Sequence, residues 1–194
     1  MHKGRLEAFS DGVLAIILTI MVLELKVPHG ETIEALRPLV PVFLSYVLSF
    51  VYIAIYWNNH HHLFQAARRV NGPVLWANLH LLFWLSLLPF ATAWVGENYF
   101  QSGPLALYGV VLLMSGIAYF ILTQALLRQH DKDSVLAHAI GRDLKGKFSV
   151  VAYVVAVPLA FFVPWLAGAV YIGVAPVWTI PDRRIEKTLD ADRS

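Results

Sequence analysis

The 194-residue sequence predicts an all-α membrane protein, and two observations, its composition and its apolar segments, support that prediction. Hydrophobic residues make up 58% of the chain and charged residues only 14%, whereas soluble domains average about 45–50% and about 25%. The apolar residues form segments close to the roughly 20 residues that a helix needs to cross the hydrocarbon of a bilayer. The chain has no cysteine, which excludes disulfides, thiolate-held clusters and a cysteine nucleophile.

The apolar segments predict about six transmembrane helices. They cover residues 6–25, 38–57, 74–95, 105–127, 148–164 and 167–180. The last two are short and contain Pro158, Pro164 and Pro176, so five crossings is the alternative count. Six crossings would place 13 of the 15 Lys and Arg residues on one side, and only Lys26 and Arg37 on the other. Because Lys and Arg accumulate in cytoplasmic segments, we expect both ends of the sequence to be cytoplasmic.

The domain organisation is simple. Residues 1–181 are expected to form one transmembrane domain, and residues 182–194 a charged cytoplasmic tail. The sequence has no internal repeat, no Gly-rich phosphate loop and no nucleophile elbow, and its formal net charge is only +2. We therefore expect no nucleic-acid partner, no cofactor and no enzymatic activity, and a function in or across the lipid bilayer.

The first span carries a stripe of residues on one side of its helix. Successive helical residues turn by about 100°, which aligns Gly12, Ile16, Thr19 and Leu23. One interpretation is packing, with the Thr hydroxyl bonded to the carbonyl four residues earlier. The other is a pore lining, in which aliphatic rings gate by dewetting and hydroxyls replace part of an ion's hydration shell. The residues alone leave both interpretations open.

Asp11 is a carboxylate inside this span, about 100° from the stripe, while Ser10 lies nearly opposite the stripe. An unpaired carboxylate in the membrane is costly, and Arg5 is six residues away and points elsewhere. We therefore predict a buried polar network between the first three helices. Its candidate partners near the cytoplasmic face are Asn58, Asn59, His61, Asn78 and His80.

The histidines are weak candidates for a metal site. His60, His61 and His62 are consecutive, so their side chains point to different faces of a helix and cannot all bind one ion. An interfacial cluster explains them better. His80 lies alone inside a span, where a structural hydrogen bond is more common than a proton relay.

The segment "RLEAFSD", residues 5–11, resembles a known signature. An R-x-x-x-F-S-D motif opens the first membrane helix of the lysosomal potassium channel, transmembrane protein 175, and of its prokaryotic relatives. The resemblance continues through "GVLAIILTIMVLEL", through the pattern of Trp57, Asn59 and His60, and through "NLHLLFWLSLLPF" in the third span.

This resemblance implies a K+ channel with six helices per repeat and a central pore lined by the first helix. A chain with a single repeat would form a homotetramer, in a prokaryotic cell membrane. Large aliphatic rings would close the pore next to a Thr ring, and those positions match Ile16, Thr19 and Leu23, with Gly12 on the same face. K+ would be the permeant ion, passing close to Ile16 and Thr19.

The resemblance also assigns roles to the signature residues. Arg5, Phe9, Ser10 and Asp11 would support the first helix against the second and third helices, rather than bind ions. Trp57 would be one of the partners.

Other function classes compete with a channel. A secondary transporter would show internal repeats and broken helices, and only Pro89 and Pro158 suggest breaks. A proton-conducting protein, or a membrane enzyme that uses His80 and Asp11, is the other alternative.

Overall fold

The computed structural model describes residues 3–67, 69–130 and 144–179. Its α-helices are α1 (Lys3–Leu23), α2 (Val40–Ala66), α3 (Gly72–Ser86), α4 (Leu88–Glu97), α5 (Ser102–Leu127), α6 (Leu144–Phe162) and α7 (Pro164–Thr179), and a 3-10 helix (Ile33–Leu39) precedes α2. In this part of the chain, five helical stretches are long and apolar enough to cross a membrane, and the last helix is shorter but also apolar. The prediction of an all-α membrane fold is confirmed.

Contacts between helix ends show how α1 and α2 run relative to each other. Lys3 Nζ donates hydrogen bonds to the carbonyl oxygens of Phe64 (2.9 Å) and Ala67 (3.1 Å), so the start of α1 meets the end of α2. A Lys interacts favourably with the last carbonyls of a helix, and the Phe64 oxygen accepts from the Ala67 N–H (3.1 Å) as well as from Lys3. At the opposite end, Lys26 Nζ lies 3.3 Å from Glu97 Oε1. The Lys3 contacts therefore make α1 and α2 antiparallel, and the Lys26 contact joins the end of α1 to the end of α4. In both cases the ends that meet are those that the charge distribution places on the same side.

The second helix is longer than the hydropathy pattern predicts. The prediction ended at residue 57, but α2 continues to Ala66 and ends where Ala67 adopts an extended conformation. Hydropathy marks where a helix leaves the hydrocarbon, whereas backbone hydrogen bonding decides where the helix ends. The polar segment from Tyr56 to His62 is consequently part of α2.

The third predicted span, residues 74–95, is not one straight helix. It is interrupted at Leu87, whose N–H bonds to the carbonyl of Trp84, three residues earlier (3.2 Å). Pro89 lies in the first turn of α4, where it has no N–H to continue the ladder from α3. The break follows from that missing donor.

The last two helices form a hairpin. Trp178 Nε1, near the end of α7, donates to Ser149 Oγ, near the start of α6 (2.8 Å). Pro164 begins α7, whereas Pro158 and Pro176 lie inside their helices. The 16 residues of α7 extend about 24 Å, and the hairpin returns the chain to the side where α6 began. With α3 and α4 counted as one crossing, this agrees with the predicted count of about six.

Hydroxyl groups connect the helices near the middle of the bundle. Ser49 Oγ lies 2.6 Å from Thr92 Oγ1 and 2.9 Å from Tyr108 Oη, which joins α2 to α4 and α5. Tyr153 Oη donates to Tyr52 Oη (3.2 Å) and joins α6 to α2. Such bonds hold helices together in a bilayer, where burial of apolar surface provides little association energy.

The predicted cytoplasmic tail, residues 182–194, lies outside the described residues. The division of the chain into residues 1–181 and that tail remains a prediction.

Candidate functional site

The first helix has one buried and one exposed face. The buried face consists of Leu6, Ser10, Leu14, Ile17 and Met21. The four residues of the predicted stripe, Gly12, Ile16, Thr19 and Leu23, are all exposed in the protomer, and we call them the exposed α1 stripe. Ile16 is 59% exposed and Leu23 is 78% exposed, although both are large aliphatic side chains. Within one protomer the stripe encloses nothing, so it can line a pore only if copies of the chain surround an axis.

A groove runs beside the exposed α1 stripe. It has a volume of about 550 Å³, and its walls come from α1, the break before α4, and α4 itself. Ile16 and Ile20 contribute one wall, Phe90 and Trp94 the other, and Glu97 lies at its end. The exposed aliphatic surface therefore extends from the stripe to the neighbouring helix.

Thr19 carries the only hydroxyl of the exposed α1 stripe. Its Oγ1 donates a hydrogen bond to the carbonyl oxygen of Ile16 (2.8 Å). The hydroxyl thus returns to its own helix, although to the carbonyl three residues earlier and not four. Because the proton is used within the helix, the lone pairs of Oγ1 remain available to accept a hydrogen bond or to contact a cation.

The opposite face of α1 is held by a chain of side-chain hydrogen bonds. Asn78 Nδ2 on α3 donates to Ser10 Oγ (2.9 Å), and Asn78 Oδ1 lies 2.7 Å from His60 Nε2 on α2. Ser10 Oγ in turn donates to the carbonyl oxygen of Leu6 (2.9 Å). Since an amide oxygen only accepts, His60 must carry its proton on Nε2. The side chains of Ser10, Asn78 and His60 are at most 2% exposed, and we call them the buried triad.

A polar network between the first three helices is present and includes the predicted Asn78, but Ser10 replaces Asp11 and His60 replaces the other predicted partners. Asp11 is exposed, and its Oδ1 accepts a hydrogen bond from Trp57 Nε1 (3.0 Å). Ser10 and Asp11 lie 100° apart on the helix, so only one of them can lie between α2 and α3, and Asp11 reaches only the exposed side of α2 through Trp57. The smaller and uncharged Ser10 occupies the buried position, where a carboxylate would lose its hydration.

The other predicted partners on α2 do not reach α1. Asn58 is exposed, and Asn59 Nδ2 donates to the carbonyl oxygen of Ile55 in its own helix (2.8 Å). His61 is exposed and lies 2.8 Å from Gln65, one turn further along α2. These side chains point to other faces of α2, since consecutive residues are 100° apart. Their predicted place in the network is corrected accordingly.

His80 forms a hydrogen bond within its own helix. Its Nε2 accepts a hydrogen bond from Trp84 Nε1 on the same helix (3.0 Å), and it is not a member of the buried triad. The structural interpretation of this His agrees with that contact.

Two signature residues are exposed and form no side-chain hydrogen bond or ion pair with the described part of the chain. Arg5 is exposed and forms no hydrogen bond or ion pair with the residues that the structure describes, and Phe9 is 52% exposed. Ser10 and Asp11 provide the contacts of the signature, and Lys3 adds two more that the sequence did not predict. The supporting role of Arg5 and Phe9 stays a prediction.

His60 is the main residue that sequence reasoning missed. It was grouped with His61 and His62 as an interfacial cluster. A signal was present, because Ser45, Ser49, Ile53 and His60 follow each other at spacings of four, four and seven residues and share the buried face of α2. A polar residue in line with two buried serines was the better partner for Ser10.

Comparisons with known proteins identify the family. The model of the family "Endosomal/lysosomal potassium channel TMEM175" matches residues 5–89. A protein of Chryseobacterium sp. (strain P1-3), described as a potassium channel, is 56% identical over 189 residues, which cover 97% of this chain and 98% of that protein. The chain belongs to the TMEM175 family. This confirms the resemblance of the R-x-x-x-F-S-D motif.

Two further relatives extend the comparison. The crystal structure of a lysosomal potassium-selective channel TMEM175 homologue from Chamaesiphon minutus matches with a TM-score of 0.76 and 30% identity, over 92% of this chain and 96% of that one. The endosomal/lysosomal proton channel TMEM175 of Gallus gallus is 30% identical over 184 residues, which cover 86% of this chain but 37% of that protein. TMEM175 is a family of membrane ion channels and not of enzymes, in agreement with the sequence prediction.

Proposed function

We propose that this TMEM175 family member is a passive K+ channel in which four copies bring their exposed α1 stripes around a central pore. The observation that supports this most strongly is the orientation of α1. The buried triad bonds one face of the helix to α2 and α3, which leaves the stripe of Gly12, Ile16, Thr19 and Leu23 outside the protomer. Closed cyclic symmetry is the usual way in which identical chains enclose an axis.

The composition of the stripe suits a pore, because a hydroxyl lies between two large aliphatic side chains. Ile16 and Leu23 lie about 4.5 Å below and about 6 Å above Thr19 along the helix axis. In a tetramer, they would form two aliphatic rings that exclude water when the pore is narrow. The four Thr19 side chains would form a ring of oxygen atoms between the two aliphatic rings. K+ would pass near Ile16 and Thr19 after losing part of its hydration shell.

The membrane orientation follows from the charge distribution. We propose that both ends of the sequence are cytoplasmic and that the protein lies in a prokaryotic cell membrane. The contacts of Lys3 with the end of α2 and of Lys26 with Glu97 support the alternating course that this orientation needs. The partners of the protein would be other copies of the chain, lipid and monovalent cations.

K+ flux from liposomes that contain the purified protein tests the proposal directly. We expect a flux above that of protein-free liposomes, faster for K+ than for Na+, and an oligomer mass of four chains. No flux from correctly assembled protein, or a protein that remains a monomer in the membrane, would overturn it.

Proton conduction is the second candidate, because vertebrate relatives are described as proton channels. The same liposomes with a trapped pH indicator separate the two functions. Acidification without a K+ gradient would support proton permeation, and a saturable flux coupled to a second ion would indicate a secondary transporter instead.

A further inference from the structure

A crevice lies in the half of the bundle opposite α1. Its volume is about 460 Å³, and it separates α2 from α6, with α5 as its floor. The hydrogen bond between Tyr153 and Tyr52 closes the inner end, where α2 and α6 come together. Lys147 and Trp178 lie at the outer end, near the start of α6 and the end of α7. No residue of α1 lines it among the described residues.

In the orientation proposed above, the crevice runs from the cytoplasmic surface towards the middle of the membrane. Lys147 and Tyr153 are six residues apart on α6, which corresponds to about 9 Å along the helix axis. Trp and Lys at its mouth are residue types typical of the membrane–water interface. The walls between them are mostly apolar, with Ile55, Val150 and Val151 among the lining residues.

Gly116 of α5 creates part of this space. A Cβ atom at that position would lie 3.7 Å from Val150 Cγ2 and 3.9 Å from Tyr56 Oη, which are ordinary contact distances. An alanine therefore fits without strain, whereas a larger side chain would occupy the crevice.

We propose that the crevice binds an acyl chain of an anionic phospholipid from the cytoplasmic leaflet, with the lipid phosphate at Lys147. An acyl chain is the apolar group that is abundant at this depth, and the volume lies in the range of known ligand pockets. Lys147 is exposed at the mouth, where a basic side chain attracts anionic headgroups. Ser149 Oγ, which accepts from Trp178 at the same end, keeps the Trp ring at the rim.

This inference is independent of the proposed pore. The lining residues belong to α2, α5, α6 and α7, so a lipid site can exist whether or not the exposed α1 stripe conducts ions. Lipid binding and ion flux can therefore succeed or fail separately.

The test is lipid binding to the purified, delipidated full chain, measured by native mass spectrometry. Phosphatidylglycerol and phosphatidylcholine are titrated separately, and bound lipids are counted per protomer. We expect one tightly bound phosphatidylglycerol per protomer, with phosphatidylcholine weaker. Lys147→Gln should lower the affinity for phosphatidylglycerol about fivefold, the factor that corresponds to about 1 kcal/mol for one basic residue, and leave phosphatidylcholine unchanged.

Two matched controls separate this site from general lipid contact. Gly116→Leu should abolish the tight site for both lipids, whereas Gly173→Leu, at an exposed glycine of α7 with open space around it, should not. Arg128→Gln removes a positive charge from the exposed residue that follows α5, outside the crevice, and should bind phosphatidylglycerol like the wild type. Size-exclusion profiles check that each variant is folded. If Gly116→Leu does not fold, the phosphatidylglycerol affinity of Lys147→Gln tests the proposal by itself.

Three results of the lipid titrations would overturn the proposal. These are no retained phosphatidylglycerol, equal losses in Lys147→Gln and Arg128→Gln, and unchanged binding in folded Gly116→Leu. A disulfide between protomers at Val151→Cys would also overturn it, because the occupant would then be a second copy. That crosslink is simple to interpret, since the natural chain has no cysteine.

Discussion

The two faces of α1 differ in burial and in polarity. On the buried face, Ser10 is fully enclosed, and each of its neighbours in the buried triad has a hydrogen-bond partner. On the exposed face, Ile16 and Leu23 have most of their surface uncovered in the protomer. The difference indicates that polar contacts fix the rotation of the helix, while the aliphatic side is left for contacts outside the protomer.

Between these faces lies a third contact, the bond from Trp57 to Asp11. This hydrogen bond is exposed, so water or lipid headgroups can replace either partner when it breaks. It therefore contributes less to the free energy of unfolding than the hydrogen bonds of the buried triad. We therefore expect substitutions on the two faces to have different effects. Substitutions on the exposed face should alter ion conduction, and substitutions on the buried face should alter stability.

The largest effect is expected from a polar residue in the exposed α1 stripe. Ile16→Asn should raise resting K+ flux from liposomes by about tenfold or more, because the amides would wet a ring that otherwise excludes water. Leu23→Asn should act in the same direction. Ile172→Asn is the matched control, since Ile172 is 60% exposed on α7, far from α1 in the sequence. Unchanged flux in both stripe variants would count against the stripe as the gate.

Disruption of the buried triad should affect folding instead. Asn78→Ala removes the partner of the His60 Nε2–H and of Ser10, and it should lower the free energy of unfolding by about 1–3 kcal/mol. Asn58→Ala, at an exposed amide on α2, should be close to neutral. Thermal unfolding of the purified proteins in detergent measures both. Equal melting temperatures would refute the bracing role of the triad.

The hydroxyl of the exposed α1 stripe should influence ion preference. Thr19→Ala should reduce the preference for K+ over Na+ about fivefold, which is the factor for a contact worth about 1 kcal/mol. Thr19→Ser keeps the oxygen and should retain the preference. Reversal potentials with K+ and Na+ on opposite sides give the ratio. A ratio that stays at the wild-type value in Thr19→Ala would exclude this hydroxyl from selectivity.

The smallest effect is expected at the flank of α1. Asp11→Ala should lower protomer stability by only about 1 kcal/mol, because the lost bond to Trp57 is exposed. Its main consequence should be a smaller fraction of assembled tetramer at unchanged helix content. Trp57→Phe removes the same hydrogen bond and keeps a ring and the Asp11 charge, so comparing oligomer masses separates the bond from the charge. Full assembly of Asp11→Ala would remove the supporting role of this residue.

Much of the architecture could be predicted from the sequence because its causes are local. Apolar segment length determines which residues can lie in the membrane, and the distribution of Lys and Arg determines which ends share a side. The rotation of 100° per residue placed Gly12, Ile16, Thr19 and Leu23 on one face, and the structure leaves that whole face exposed.

The pairing of polar side chains could be decided only by the tertiary structure. The hydropathy pattern placed several amides and histidines at the same depth in the membrane as Asp11. Depth alone does not say which way a side chain points around its helix. The rotations of α2 and α3 about their own axes bring His60 and Asn78 to Ser10, and they turn Asn58 and His61 outward. Those rotations depend on the packing of all the helices together, so the sequence by itself determined which residues lie in the membrane, and the fold decided which of them meet.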